Sequence, residues 1–146
     1  MAEVPLALLL LRASRWFDRQ LLDGLEAAGW PRLTGAQSLV FAHLEPHGVP
    51  PATLARRLGT TRQGASELVA GLVRHGLLEV APDPARRGGR LVVLTDRGRA
   101  LGREAGRRLV ELEASLGAER SAALRALLLE LGPVTAAPEQ EDGAGA

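Results

Sequence analysis

Apolar residues recur at helical spacing over the first thirty positions: Leu6, Leu9, Leu10, Ala13, Phe17, Leu21, Leu25 and Ala28 fall on one stripe. The spacing predicts a helix from about Pro5, a favoured first-turn residue, to Ala28, with Gly29 as its stop. Leu8, Leu11 and Leu22 lie off that stripe, so a second apolar face is left to be covered. A second helix is expected after Thr34, whose hydroxyl pairs with Gln37 three positions on as a capping box. It carries Leu39, Val40, Ala42, His43 and Leu44 and ends near Pro46.

From Pro51 the pattern becomes two short helices and a ribbon. Residues 51–58 form the first helix, Gly59 allows the turn, and Thr60 with Gln63 reads as a second capping box that starts the next helix. Along that helix Ala65, Leu68, Val69 and Leu72 point inward, while Arg62, Gln63, Ser66 and Arg74 point away. Gly64 and Gly71 each weaken it by about 1 kcal/mol relative to alanine. Gly64 admits two explanations, close approach of a sugar–phosphate backbone or a packing need. Leu77–Ala81 and Leu91–Thr95 alternate as strands around a turn, Pro82–Arg90, rich in arginine and glycine. A helix-turn-helix followed by such a ribbon lays one helix in a DNA major groove and sends a basic loop to the flanking backbone or minor groove. DNA binding is therefore the first functional expectation.

Beyond the ribbon, Thr95 caps a helix carrying Leu101, Ala105, Leu109, Leu112 and Leu116, which Gly117 breaks. A last helix is expected from about Ala118 to Leu131, ended by Gly132-Pro133. Residues 133–146, nearly devoid of large apolar side chains, are expected to be a disordered tail. Leu8, Leu11 and the run Leu127 to Leu129 suit a helical homodimer interface; the alternative is that they close a single core. The fold expected is mainly α with a small two-stranded β-wing. Residues 1–132 form one domain, with dimerisation helices at about 5–28 and 96–131 and a winged helix-turn-helix at about 34–95.

Charge sharpens this picture. The net charge of the 146 residues is +1, but residues 51–99 hold nine arginines against four acids, a balance of +5 that leaves −4 for the remainder. One face suited to phosphates and another that is not give this asymmetry. Without cysteine there is no disulfide framework and no thiolate metal site. The run Leu6–Leu11 is too short for a bilayer and follows Glu3 instead of a basic start, so a cytoplasmic protein is expected. His43, His47 and His75 have no metal-ligand spacing, no serine lies in a His/Asp arrangement, and Glu111 and Glu113 cannot face one another on a helix. No enzyme and no cofactor are expected.

An ordered set of short motifs carries a resemblance: Leu33-Thr34 with Gln37, Leu54-Ala55, Thr61-Arg62-Gln63 with Leu68-Val69, Gly76-Leu77, Pro82-Asp83-Pro84, and Leu94-Thr95-Asp96-Arg97-Gly98. Over residues 33–100 the chain resembles MarR-family winged-helix transcription regulators. The resemblance implies a dimer on a near-palindromic operator in double-stranded DNA, a repressor relieved by a small aromatic or anionic effector. The family's wing usually reads Asp-Pro-x-Asp-Arg-Arg; here Arg86 replaces the second Asp, Arg87 matches the first arginine and Gly88 replaces the other.

The candidate DNA contacts are Thr61, Arg62, Gln63, Ser66, Arg86, Arg87 and Arg90. Arginine pairs with guanine and glutamine with adenine. Thr61 serves either as a cap or as a phosphate contact; Arg87 and Arg90 are the candidates for the minor groove, and Arg86 for a phosphate. Arg15, Trp16, Arg19, Trp30 and His43 fall where the family forms an effector cleft, although core packing or a dimer-interface anchor is the stronger explanation for any one of the aromatic residues there. The rival reading is a winged-helix protein-interaction module with no operator of its own.

Overall fold

Thr34 accepts a hydrogen bond from the Gln37 amide at 3.1 Å, and the Gln37 side-chain oxygen accepts from the Thr34 amide at 3.0 Å. This reciprocal box starts α2 (Gly35–Ala42) where the sequence places it. In the computed structural model, which describes residues 3–131, six helices and one two-stranded sheet follow in the order α1 (Leu6–Ala27), α2, α3 (Pro51–Leu58), α4 (Arg62–Arg74), β1 (Leu78–Pro82), β2 (Arg90–Leu94), α5 (Asp96–Ser115) and α6 (Ala118–Glu130). The expected tail at 133–146 lies outside the described residues. The chain divides into two compact units, one through Val110 and one from Glu111.

The first unit holds the core. Val40 of α2, Leu54 of α3, Leu72 of α4, Leu77 and Leu78 at the base of the wing, Val92 of β2 and Leu101 of α5 are each at most 2% exposed. Around them lie Leu21, Leu22 and Leu25 from α1. The core is aliphatic throughout, with Trp30 and Phe41 packed at its margin. In the second unit α6 follows Gly117 (φ +95°) and buries no residue. Ser121 Oγ donates to the Glu113 carbonyl at 3.0 Å, and Arg125 pairs with Glu113, so α6 is tied to the last turns of α5.

Several boundaries differ from expectation. The stripe of α1 is buried only near its C-terminal end, where Leu22, expected off the stripe, joins Leu21 and Leu25; Leu6 (66%), Leu9, Ala13 and Ala28 are exposed. The sequence pattern records apolarity without saying what covers it. Helix α2 stops at Ala42, short of Pro46, and His43 is its C-cap, with its amide bonded to Val40 O in a tightened last turn. The residue before a proline is disfavoured in helical conformation, and Gly48 at φ +95° completes the turn. Each wing strand is displaced by one residue, because Pro82 pairs with Arg90 instead of opening the turn.

The sheet also gains a contact that was not expected. Val49 and Val92 exchange two backbone hydrogen bonds, at 2.8 and 3.0 Å, on the side of β2 opposite β1. This single antiparallel bridge fastens the chain entering α3 to the wing. The helix-turn-helix and the ribbon are thereby one body, with α3 and α4 packed on one another and α4 against α2.

Candidate nucleic-acid interface

Helix α4 begins at Thr61, whose backbone is extended (φ −68°, ψ 160°) and whose Oγ1 accepts from the Gly64 amide at 3.0 Å. The expected box of Thr60 and Gln63 does not form: Thr60 lies one residue before the cap, and the Gln63 side chain turns forward to Glu67. Adjacent threonines have the same capping chemistry, and the tight turn at Gly59 (φ +64°) selects the second. A Cβ on Gly64 would meet Thr60 Oγ1 at 2.6 Å and Thr61 Oγ1 at 3.2 Å, so this glycine has a local packing reason.

The inner face of α4 is set by Ala65, Val69, Gly71 and Leu72, all buried. At Gly71 a Cβ would come within 2.7 Å of the Gln37 amide nitrogen, which belongs to the same residue that closes the α2 cap. The missing side chain thus leaves room for Gln37 between the two helices. Arg62, Gln63, Ser66 and Arg74 are all on its exposed side, as expected.

The wing tip is built by backbone hydrogen bonds. The Asp83 amide donates to Gly89 O at 2.9 Å, the Gly89 amide to Arg86 O at 2.9 Å, and the Ala85 amide to Asp83 Oδ1 at 2.9 Å. Gly88 is in the left-handed region at φ +72°. The Asp83 carboxylate therefore braces the turn itself and does not hold an arginine. Arg86, Arg87 and Arg90 are exposed, and among the described residues neither their side chains nor that of Arg62 makes a hydrogen bond or ion pair. Elsewhere Arg32, Arg57, Arg99, Arg107, Arg108 and Arg125 are all paired with acids.

Between α4 and the wing runs a groove of about 610 Å³. Arg62 and Ser66 line one side, Arg86, Arg87 and Arg90 the other, over a floor that includes Pro50, Leu54, Val69 and Val92. Four guanidinium groups border it and no acid does. Thr61 and Gln63 are not among its lining residues; Gln63 lies on the neighbouring stripe of the helix. Such an arrangement suits a polyanion whose charges are spaced along a strand, because each arginine presents a fork of donors to phosphate oxygens.

The five candidate effector residues are not joined to one another. Trp16 meets Phe17 edge-on at 5.0 Å between ring centroids. Trp30 lies under the Arg97 guanidinium at 5.6 Å, and the His43 carbonyl accepts from Arg57 at 3.1 Å. Among the described residues no hydrogen bond, ion pair or ring contact links Arg15, Trp16, Arg19, Trp30 and His43. Arg97 is the residue sequence reading missed as the partner of Trp30, since sixty-seven positions separate them and no local pattern signals the pairing. Among the described residues no group of three or more His, Asp or Glu side chains is placed to hold a metal ion. Among the described residues no helix is long and apolar enough to cross a membrane.

A model of the MarR family matches residues 33–87. The chain is similar to the reduced form of MarR from E. coli, with 27% identity, a TM-score of 0.71, and coverage of 90% of this chain and 98% of that one. It is similar also to RV1404 from Mycobacterium tuberculosis, with 26% identity, a TM-score of 0.66, and coverage of 90% and 97%. A MepR variant from Staphylococcus aureus bound to an oligodeoxyribonucleotide shares the fold at 21% identity, a TM-score of 0.58, and coverage of 88% and 96%. No curated protein sequence matches the chain. The matched segment includes α2, α3, α4, β1 and the wing tip as far as Arg87, and the likeness to solved MarR structures extends over nine-tenths of the chain: residues 33–87 carry a winged helix-turn-helix segment of the MarR type, within a chain that shares the fold of those regulators.

Proposed function

We propose that the chain is a homodimeric repressor that binds a near-palindromic operator in double-stranded DNA, with α4 in the major groove and the wing on the flanking strand. One observation carries the reading: four unpaired arginines, Arg62, Arg86, Arg87 and Arg90, border a single groove between helix and wing. Six arginines elsewhere, among them Arg57 and Arg99 of the same segment, are held by acids, whereas these four converge on one groove with their donors open to a ligand from outside. Ser66 and Thr61 supply hydroxyls at the same end of α4, and Gln63 supplies an amide able to address adenine. A protein-interaction module would gain nothing from four uncompensated cations unless its partner were itself polyanionic.

The dimer follows from exposed leucines. Leu6, Leu8, Leu9 and Leu11 on α1, in the first unit, and Leu127 and Leu129 on α6, in the second, are each more than 40% exposed, apolar faces each suited to a second copy. A small aromatic or anionic effector near Trp16 and Arg19 would relieve repression only by binding the DNA-incompetent arrangement more tightly than the competent one. Tryptophan fluorescence titrated with salicylate-like anions, repeated in Trp16→Phe with operator binding read in parallel, tests that part separately.

The test of the main reading is selection from random duplexes. A palindromic motif with half-sites about 10–10.5 bp apart, or a multiple of that, is expected. Affinity should fall steeply with salt, with a log–log slope of about −0.9 per phosphate contacted. Arg62→Ala or Gln63→Ala should cost about 1–3 kcal/mol on the best site. Arg86→Ala should weaken all sequences alike and flatten the salt slope by about one. Selection that enriches no motif would overturn the proposal.

A further inference from the structure

The exposed side of α4 carries two adjoining stripes. Arg62 and Ser66 face the wing groove, while Gln63, Glu67, Ala70 and Arg74 follow one another at intervals of four, three and four on the next stripe. Glu67 is the only acid on the helix. It is exposed, lies in the segment of balance +5, and yet has no arginine partner; its carboxylate accepts from Gln63 Nε2 at 3.3 Å. Resting on the DNA reading above, we infer that Glu67 is a positioning residue for base recognition, holding the Gln63 amide in the one orientation that reads the operator.

A glutamine side chain has two opposite faces, a carbonyl acceptor and an NH2 donor, and free rotation about its last bond lets it offer either to a base edge. A carboxylate accepts only, so it captures the NH2 end and leaves the carbonyl pointing the other way. One N–H is spent on Glu67; the second N–H and the oxygen remain available. That pair matches the N7 acceptor and N6 donor of adenine, the bidentate partner of glutamine in the major groove. The hydrogen bond also removes rotamer freedom before DNA arrives, so less ordering entropy is lost on binding. The arrangement has an electrostatic cost: a carboxylate near phosphates repels them and weakens binding to every sequence alike. Glu67 therefore trades general affinity for discrimination.

Two substitutions at Glu67 separate these effects. Glu67→Ala loses both charge and acceptor. Glu67→Gln loses the charge but keeps a carbonyl oxygen that can accept from Gln63. Binding to random duplex at low salt should rise about threefold to fivefold in both, as expected for removing one unit charge from a screened surface. Discrimination at the base pair addressed by Gln63 should fall by about threefold to tenfold in Glu67→Ala, a part of what one bidentate contact supplies. In Glu67→Gln it should stay near wild type. In a double-mutant cycle, Glu67→Ala should add no further loss of discrimination once Gln63→Ala is present. Because Glu67 is exposed and packs on nothing in the core, circular dichroism and melting temperature should be unchanged, and a merely structural role would move those instead. The inference is overturned if Glu67→Ala leaves the selected motif intact. It is overturned equally if that variant relaxes a different base pair from Gln63→Ala, because Glu67 would then read a base itself. If the wild type selects no motif, the DNA reading falls and this inference with it; if Gln63→Ala relaxes the motif and Glu67→Ala does not, only this inference falls.

Discussion

A Cβ placed on Gly98 would sit 2.0 Å from the carbonyl oxygen of Leu77 and 3.1 Å from a Leu94 methyl. Backbone cannot move aside as a side-chain tip can, so Gly98→Ala should force α5 away from the base of the wing. We expect a loss of about 3 kcal/mol in unfolding free energy and a lowered melting temperature. Gly102, one turn on and facing open space, is the control: Gly102→Ala should gain about 0.5–1 kcal/mol in the same assay. Thr95 completes the junction, donating to Gly76 O at 2.6 Å and accepting from the Gly98 amide at 3.0 Å. The Thr95 cap was legible because capping is local chemistry. The demand on Gly98 was not, because its neighbour is a backbone atom twenty-one residues earlier. The choice between Thr60 and Thr61 escaped for a different reason: both fit a cap, and only the geometry of the preceding turn decides. At the candidate interface the residue types were readable from the sequence, but the division of α4 into a wing-side stripe and a Gln63–Glu67 stripe needed the wing in place.

Among the elements, α5 shows how charge supports a helix with few buried residues. Glu104 pairs with Arg107 at 2.7 Å and Arg108 at 2.8 Å. The Arg107 guanidinium, with help from Arg108, holds the Glu104 carboxyl below its ordinary value of 4.5. A depressed carboxyl stabilises the folded state above its unfolded value, and that contribution is lost as pH falls through the folded value. Glu104→Gln should therefore have a lower urea midpoint than wild type at pH 7, and the gap should close as the medium is acidified below pH 4.5. Element identities were readable where a period ran long enough: six helices and a ribbon were expected and are found. Ends were harder, as at α2, where Leu44 continues the apolar period although the helix has already stopped. The Val49 bridge is one residue long, and no periodicity announces a partner that short.

For the molecule as a whole, the unanswered surface is apolar and helical. If α1 and α6 meet a second copy, Leu11→Arg or Leu127→Arg should place an unpaired charge in that interface. Light scattering should then report a monomer, and operator affinity should fall by at least about tenfold, equivalent to about 1.4 kcal/mol. A wild type of monomeric mass at micromolar concentration would refute the dimer. The sheet, by contrast, offers little to an incoming chain. Val49 occupies the free side of β2 at Val92, so the ribbon's one long open margin is the outer side of β1. That margin is five residues long, bears the charge of Glu79, and ends at Pro82, which has no amide hydrogen to donate. A strand of another molecule seeking to extend the sheet would find too few donors in register. If the wing reaches nucleic acid as proposed, it must stay extended and solvent-facing, and this margin protects it from growing into an edge-to-edge aggregate.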